Sequence, residues 1–130
     1  MQDLIHAAKE AIRQRFNYPT HSVGAAIQTA SGKVYIGVNI RAQKMDLCAE
    51  WIPLGQAIMD GEEIAMGVAV RYFEDGTHEV YAPCAQCREL YLTFAPEAKL
   101  VISEEETKQA KELLPHAWVN KKHGGGKKGV

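Results

Sequence analysis

The chain has 130 residues, enough for one domain with a real core, and its 46% hydrophobic and 24% charged residues are ordinary for a globular fold. A formal net charge of -1 gives no general attraction to nucleic acid or to an anionic membrane. No apolar run approaches the roughly 20 residues that span a bilayer, and Met1-Gln2-Asp3-Leu4 lacks the basic-then-apolar plan of a secretory signal.

Leu4, Ile5, Ala8, Ala11, Ile12 and Phe16 recur at helical spacing, which predicts an amphipathic helix over residues 2–15. Asn17-Tyr18-Pro19-Thr20 breaks it. Two strands, 23–27 and 34–38, are expected as a hairpin around Ala30-Ser31-Gly32. Gly24, Ala25 and Ala26 are small, so a helix or ligand can approach that backbone closely. Residues 39–47 have no period and are expected as a loop. A helix should run from Cys48 to about Asp60 and stop at Gly61, with Pro53 kinking it or loosening its first turn. Residues 64–72 predict a strand covered on both faces. After the turn at 74–77, an extended piece at 79–81 leads to Pro83 and a helix carrying Cys87, Leu90, Tyr91 and Phe94 on one face. A short strand at 100–102 follows. Ser103 with Glu106 matches a capping box for a last helix of about ten residues ending near Leu114-Pro115. The Lys/Gly-rich tail, 120–130, cannot pack a core and is expected to be flexible. The element order predicts a single α/β domain over 1–119, a layered sandwich with a mixed sheet of about five strands between helices.

All three cysteines lie in two short segments, Cys48-Ala49-Glu50 and Pro83-Cys84-Ala85-Gln86-Cys87. An odd number fits a disulfide framework poorly and suits a reducing compartment, with cytoplasm the default. Cys84 and Cys87, three apart on the first turn of a helix, put two sulfurs on one side. Helix N-termini favour the thiolate that a metal requires. Three thiolates suit zinc, and three protein ligands leave the fourth position open to water, the mark of a catalytic site. Glu50 lies on the same turn as Cys48, placed to take a proton from that water and pass it on.

Cys-Ala-Glu followed some 35 residues later by Pro-Cys-x-x-Cys resembles the cytidine deaminase superfamily, and most nearly its blasticidin S deaminase branch. The resemblance runs from about Tyr18 to Val119. It is carried also by His21-Ser-Val-Gly-Ala-Ala26, Gly37-Val-Asn39, Arg88-Glu89 and Glu112-Leu-Leu-Pro115. It implies a cytidine deaminase-like three-layer sandwich with one Zn2+ per subunit held by Cys48, Cys84 and Cys87, and Glu50 as proton shuttle. In that family hydroxide attacks C4 of a cytosine ring, the glutamate protonates N3, and ammonia leaves a uracil ring behind. By the same resemblance the Ala49 backbone holds the base, the Ala82 carbonyl faces the leaving amine, and Asn39 contacts the ribose. A homotetramer is implied as well.

This chain departs from the common cytidine deaminase pattern at three places. His21 stands for a phenylalanine, Arg41 for the ribose-holding glutamate, and Trp51 for an arginine that balances the third thiolate. Arg88 and the helix dipoles then have more of that charge to offset. The departures sit more easily with the blasticidin branch, where a C-terminal segment like His116-Ala-Trp118 places Trp118 to close over the ring. Each has a plainer reading: His21 as a satisfied loop residue, Arg41 as a solvated charge, Trp118 as core plug or oligomer contact. Inert buried thiols, or a closed structural zinc site completed by a histidine, are the plainer readings of the cysteines. The expected substrate is a small nucleoside-like molecule, with no nucleic-acid or membrane partner. A deaminase acting on a polynucleotide would want a basic groove and stacking aromatics, and a non-catalytic zinc-stabilised binding protein would have no use for Glu50.

Overall fold

The computed structural model describes residues 1–118; the expected tail, 120–130, and Val119 lie outside the described residues. The apolar stripe of the first segment forms helix α1, Gln2–Arg15, and Leu4, Ile5, Ala8, Ala11 and Ile12 are its buried positions. Leu4, Ile5 and Ala8 pack on one face of a sheet, against Ala26, Val68, Val70, Val80 and Val101. The contact is close because Gly24 lacks a side chain: a Cβ there would run into the backbone oxygen of Ala8.

The sheet begins with the expected hairpin, β1 (Val23–Thr29) and β2 (Val34–Val38), antiparallel with Ala26 opposite Ile36. Gly32 closes the turn at φ 94°, a conformation that glycine adopts without steric cost. Residues 39–47 are not simply a loop. They contain a two-residue ladder of their own, β3 (Ile40–Arg41) with β4 (Asp46–Leu47), pairing Arg41 with Asp46. No alternation over so short a span would show it.

The second helix, α2, is Trp51–Met59, three residues shorter at its start than expected. Glu50 is its N-cap, so Pro53 falls in the first turn, where its missing N–H leaves no helical bond unmade. The proline thus sets where the helix starts and does not kink it, and Cys48-Ala49-Glu50 is left as a turn ahead of it. Gly61, at φ 71°, follows the helix end.

Strand β5, Ile64–Tyr72, is the centre of the sheet. It pairs antiparallel with β1 along one edge, Ala25 opposite Ala69 and Val23 opposite Arg71. Its other edge is shared. Residues Ala69–Tyr72 pair antiparallel with β6 (His78–Tyr81), while Met66 and Gly67 pair in parallel with β7 (Lys99–Val101). The chain leaves β6 at this fork and enters helix α3, Ala85–Phe94, before returning to β7. On α3, Cys87, Tyr91 and Leu92 are buried, whereas Phe94 is exposed. Helices α2 and α3 cover the face opposite α1, where Ile27, Leu54, Ala57, Tyr91 and Leu100 form the second core. The result is the expected three-layer sandwich, with a six-stranded sheet in place of about five.

The expected last helix is absent. Ser103 Oγ instead accepts the N–H of Glu105 in a turn, and Thr107–Gln109 forms β8, antiparallel to β7. A genuine capping box stands three residues after the expected N3 position, with Gln109 and Glu112 opening a single 3-10 turn, Ala110–Glu112. The edge of β7 offered unpaired backbone groups, and pairing with them outweighed the local helix signal.

Candidate active site and metal centre

The start of α2 and the start of α3 converge at the sheet's fork. Glycine at position 37 lets β2 press on the start of α2, since a Cβ there would lie 2.8 Å from Pro53 Cδ and 3.2 Å from the Ala49 oxygen. That contact fixes the Cys48-Ala49-Glu50 turn. On the other side, Cys84 is the N-cap of α3, its carbonyl accepting the N–H of Arg88 at 2.8 Å, and Cys87 sits on the first turn. The three sulfurs lie within 4.8 Å of one another, Cys48 and Cys84 at 3.5 Å. Zn–S bonds of about 2.3 Å in a tetrahedron separate sulfurs by about 3.8 Å, so the donor set fits zinc.

Cys48 and Cys87 do not ionise easily alone. Burial, then the neighbouring Cys84 thiol, push Cys48 up to about 11. Burial and the charge of Glu50 raise Cys87 further. A dication reverses both effects, because it replaces the protons with a shared positive charge. Beside the sulfurs lies Glu50, only 5% exposed. Burial raises its carboxyl above the ordinary range, partly offset by its own backbone N–H and the Cys87 thiol. Behind it, the ring of Tyr91 is wholly buried against Gly67, where a Cβ would collide with the phenol oxygen.

A cavity of about 210 Å³ opens in front of these groups. Cys48, Ala49, Glu50, Ala82 and Cys84 line it together with Asn39 and Arg41. It is smaller than the roughly 300–1,000 Å³ of a typical drug-sized site, a size suited to a single ring with its substituent toward the mouth. Asn39 is 5% exposed, and its Oδ1 accepts the N–H of Ser22 at 2.8 Å and of Val23 at 2.9 Å. Its amide NH2 has only a 3.5 Å contact to Thr20 O and is the group left to donate. Arg41 donates to Asp46 Oδ2 from Nε at 3.3 Å and Nη2 at 3.0 Å.

Two expected substrate contacts are not brought to this cavity. His21 is not among the lining residues, and its Nδ1 lies 2.8 Å from the backbone oxygen of Asn39. Trp118 is 83% exposed and does not line the cavity. Arg88 donates from Nε to Pro83 O at 2.7 Å and from Nη1 to Leu113 O at 3.3 Å, tying the ligand loop to the C-terminal stretch. The Trp51 indole N–H is buried and has no hydrogen-bond partner among the described residues. The sequence reading missed Ser22, Asp46, Arg71 and Tyr81, all of which line the cavity. The available signal was Arg71, the one charge in an otherwise apolar strand.

The chain matches the family described as the cytidine and deoxycytidylate deaminase zinc-binding region over residues 1–104. It belongs to this deaminase family. A blasticidin-S deaminase of Bacillus cereus is 35% identical over 107 residues, covering 77% of this chain and 76% of that protein. A cytidine deaminase of Sporosarcina psychrophila is 32% identical over 127 residues, 91% and 90% of the two chains. The crystal structure of a cytidine deaminase from Burkholderia pseudomallei superposes with a TM-score of 0.75 at 30% identity, covering 90% of this chain and 98% of that one. The chain is therefore a zinc-dependent deaminase of the hydrolase class, and the Cys48, Cys84 and Cys87 cluster fits the metal. No helix among the described residues of this deaminase is long and apolar enough to cross a membrane.

Proposed function

We propose that this deaminase hydrolyses the C4–amine bond of the cytosine ring in a small nucleoside or nucleoside-like substrate, of cytidine, deoxycytidine or blasticidin S type. The observation that carries this reading is a buried carboxyl, Glu50, beside three converged sulfurs, with Cys48, Cys84 and Glu50 lining a ring-sized cavity. Cys48, Cys84 and Cys87 would hold the zinc, whose Lewis acidity would make a water nucleophilic at neutral pH. Glu50 takes one proton from water and gives it to ring N3 as oxygen adds to C4. It then takes the remaining proton from the new C4 hydroxyl and passes it to the amine, which leaves as ammonia as the C4–N bond breaks. The ring retains the oxygen as a uracil carbonyl. Ala49 backbone N–H and Ala82 carbonyl orient the base, and the Asn39 amide donates to a sugar hydroxyl.

Arg88 is assigned to charge balance, holding the Pro83 carbonyl so that the α3 N-terminus faces the sulfurs. Arg41 is assigned to the substrate's sugar side and His21 to a contact through Asn39. Trp118 covers the ring in this reading only on closure of the C-terminal segment or within a homotetramer. Exposed Ile36, Met45 and Met59 support such an assembly, and three unpaired thiols support a cytoplasmic location. Residues 1–119 are taken as the working domain and 120–130 as an appended tail. Ammonia release and the ultraviolet change, measured on cytidine, deoxycytidine and blasticidin S side by side, test the reading. Turnover of at least one is expected, and turnover of none overturns it.

A further inference from the structure

Two arginines reach the cavity, and they are not equivalent. Arg41 is committed to Asp46. Arg71, near the end of β5, forms no ion pair among the described residues, and only its Nε is hydrogen-bonded, to Tyr72 O at 3.2 Å. The forked end of its guanidinium has no protein partner among those residues. Strand register puts it on the catalytic face: Arg71 is opposite Val23 on β1, and Ala69, two residues earlier, is opposite Tyr81 on β6. Val23, Ala69 and Tyr81 line the same cavity.

The guanidinium is also held in place. Its carbon lies 5.5 Å from the Tyr18 ring centroid and 5.0 Å from that of Phe73. Arg71 forms the wall shared by the catalytic cavity and an outer depression with Glu74 and Asp75. An arginine whose rotamer is fixed before a ligand arrives loses little freedom when one binds. Glu79 is directly opposite Arg71 in the β5–β6 ladder, yet it is exposed and does not pair with it. Glu50 is buried and Asp46 is taken by Arg41. The position offers a planar fork of donors where the ring-sized cavity meets the neighbouring depression, which matches an oxyanion.

We propose that Arg71 sets substrate specificity by receiving an oxyanion, carboxylate or phosphate, carried on the sugar side of the cytosine substrate. This rests on the deaminase reading and narrows it. A neutral nucleoside leaves the fork unpaired in a closing site, whereas an anionic one fills it.

The test compares cytidine, cytidine 5′-monophosphate and the 5′-carboxylate of cytidine on the zinc-loaded full chain, with Arg71→Gln and Arg71→Lys variants of confirmed zinc content. The wild type is expected to favour at least one anion over cytidine in kcat/KM. Arg71→Gln should lower that anion-to-neutral ratio about 10- to 100-fold, the scale of a lost charge-assisted bond, and Arg71→Lys should fall between. Which anion responds distinguishes phosphate from carboxylate. An unchanged ratio in Arg71→Gln, or cytidine preferred by the wild type, overturns the proposal. Calorimetric binding of the same compounds to zinc-loaded Glu50→Gln, with and without Arg71→Gln, separates the two readings. If the wild type turns over none of these compounds, nor deoxycytidine or blasticidin S, the deaminase reading fails, while the ratio of dissociation constants still decides for or against Arg71. Binding of neither anion there overturns it as well.

Discussion

Burying a carboxyl beside three sulfurs costs solvation that its few hydrogen bonds do not fully return, and Glu50 is held in that state. The cost has a use only if the group exchanges protons with a bound molecule. Glu50→Gln keeps the shape and removes the exchange. It should cut kcat by about 10²–10⁴-fold with zinc content unchanged, because the carboxylate is not among the clustered donors. Parallel metal analysis and turnover check this, and full activity would overturn the proton-shuttle role. At this scale the ligands and Glu50 were readable because their chemistry demands particular residue types at fixed local spacing. Arg71 and Asp46 were not, because what carries them to the cavity is cross-strand register and a two-residue ladder. His21 was placed in the right neighbourhood, but its ring nitrogen is spent on the backbone of Asn39.

Periodicity found the elements that bury a face over several turns or a full strand: α1, β1, β2, β5 and α3. It failed where a short segment's partner lay elsewhere, as at β8, which follows the edge of β7 and not its own capping signal. The link between β2 and the end of α2 is of the same kind. Tyr35 on β2 donates its hydroxyl to Asp60 Oδ2 at 2.6 Å, and this hydrogen bond raises the phenol to about 12. A raised folded-state value means that the contact contributes fully below the unfolded value near 10 and is lost as pH rises through about 12. Alkaline titration of tyrosinate absorbance should therefore show one tyrosine in this high range that is missing in Tyr35→Phe. The wild type's stability advantage over that variant should fade across the same window. If the tyrosine missing in Tyr35→Phe is one that titrates near 10, the link is removed.

The metal ligands come from two separate parts of the chain, the turn before α2 and the start of α3, on either side in sequence of the strand that organises the sheet. An ion there ties two helices to the fork between β6 and β7. Metal affinity then becomes folding free energy, about 2.7 kcal/mol when free zinc stands a hundredfold above its dissociation constant. A chelator should lower the thermal midpoint of the wild type, and returning zinc should restore it. Cys84→Ala separates this from a general effect of chelator. Cys84 is the exposed member of the cluster, so its side chain fills no core, and truncating it removes a donor without opening a cavity. The variant should hold substoichiometric zinc and melt near the chelated wild type. Its midpoint should be insensitive to chelator or added zinc. A variant that kept one zinc per chain, or a wild type whose midpoint ignored chelation, would mean that the three thiols do not join the two helices through a metal.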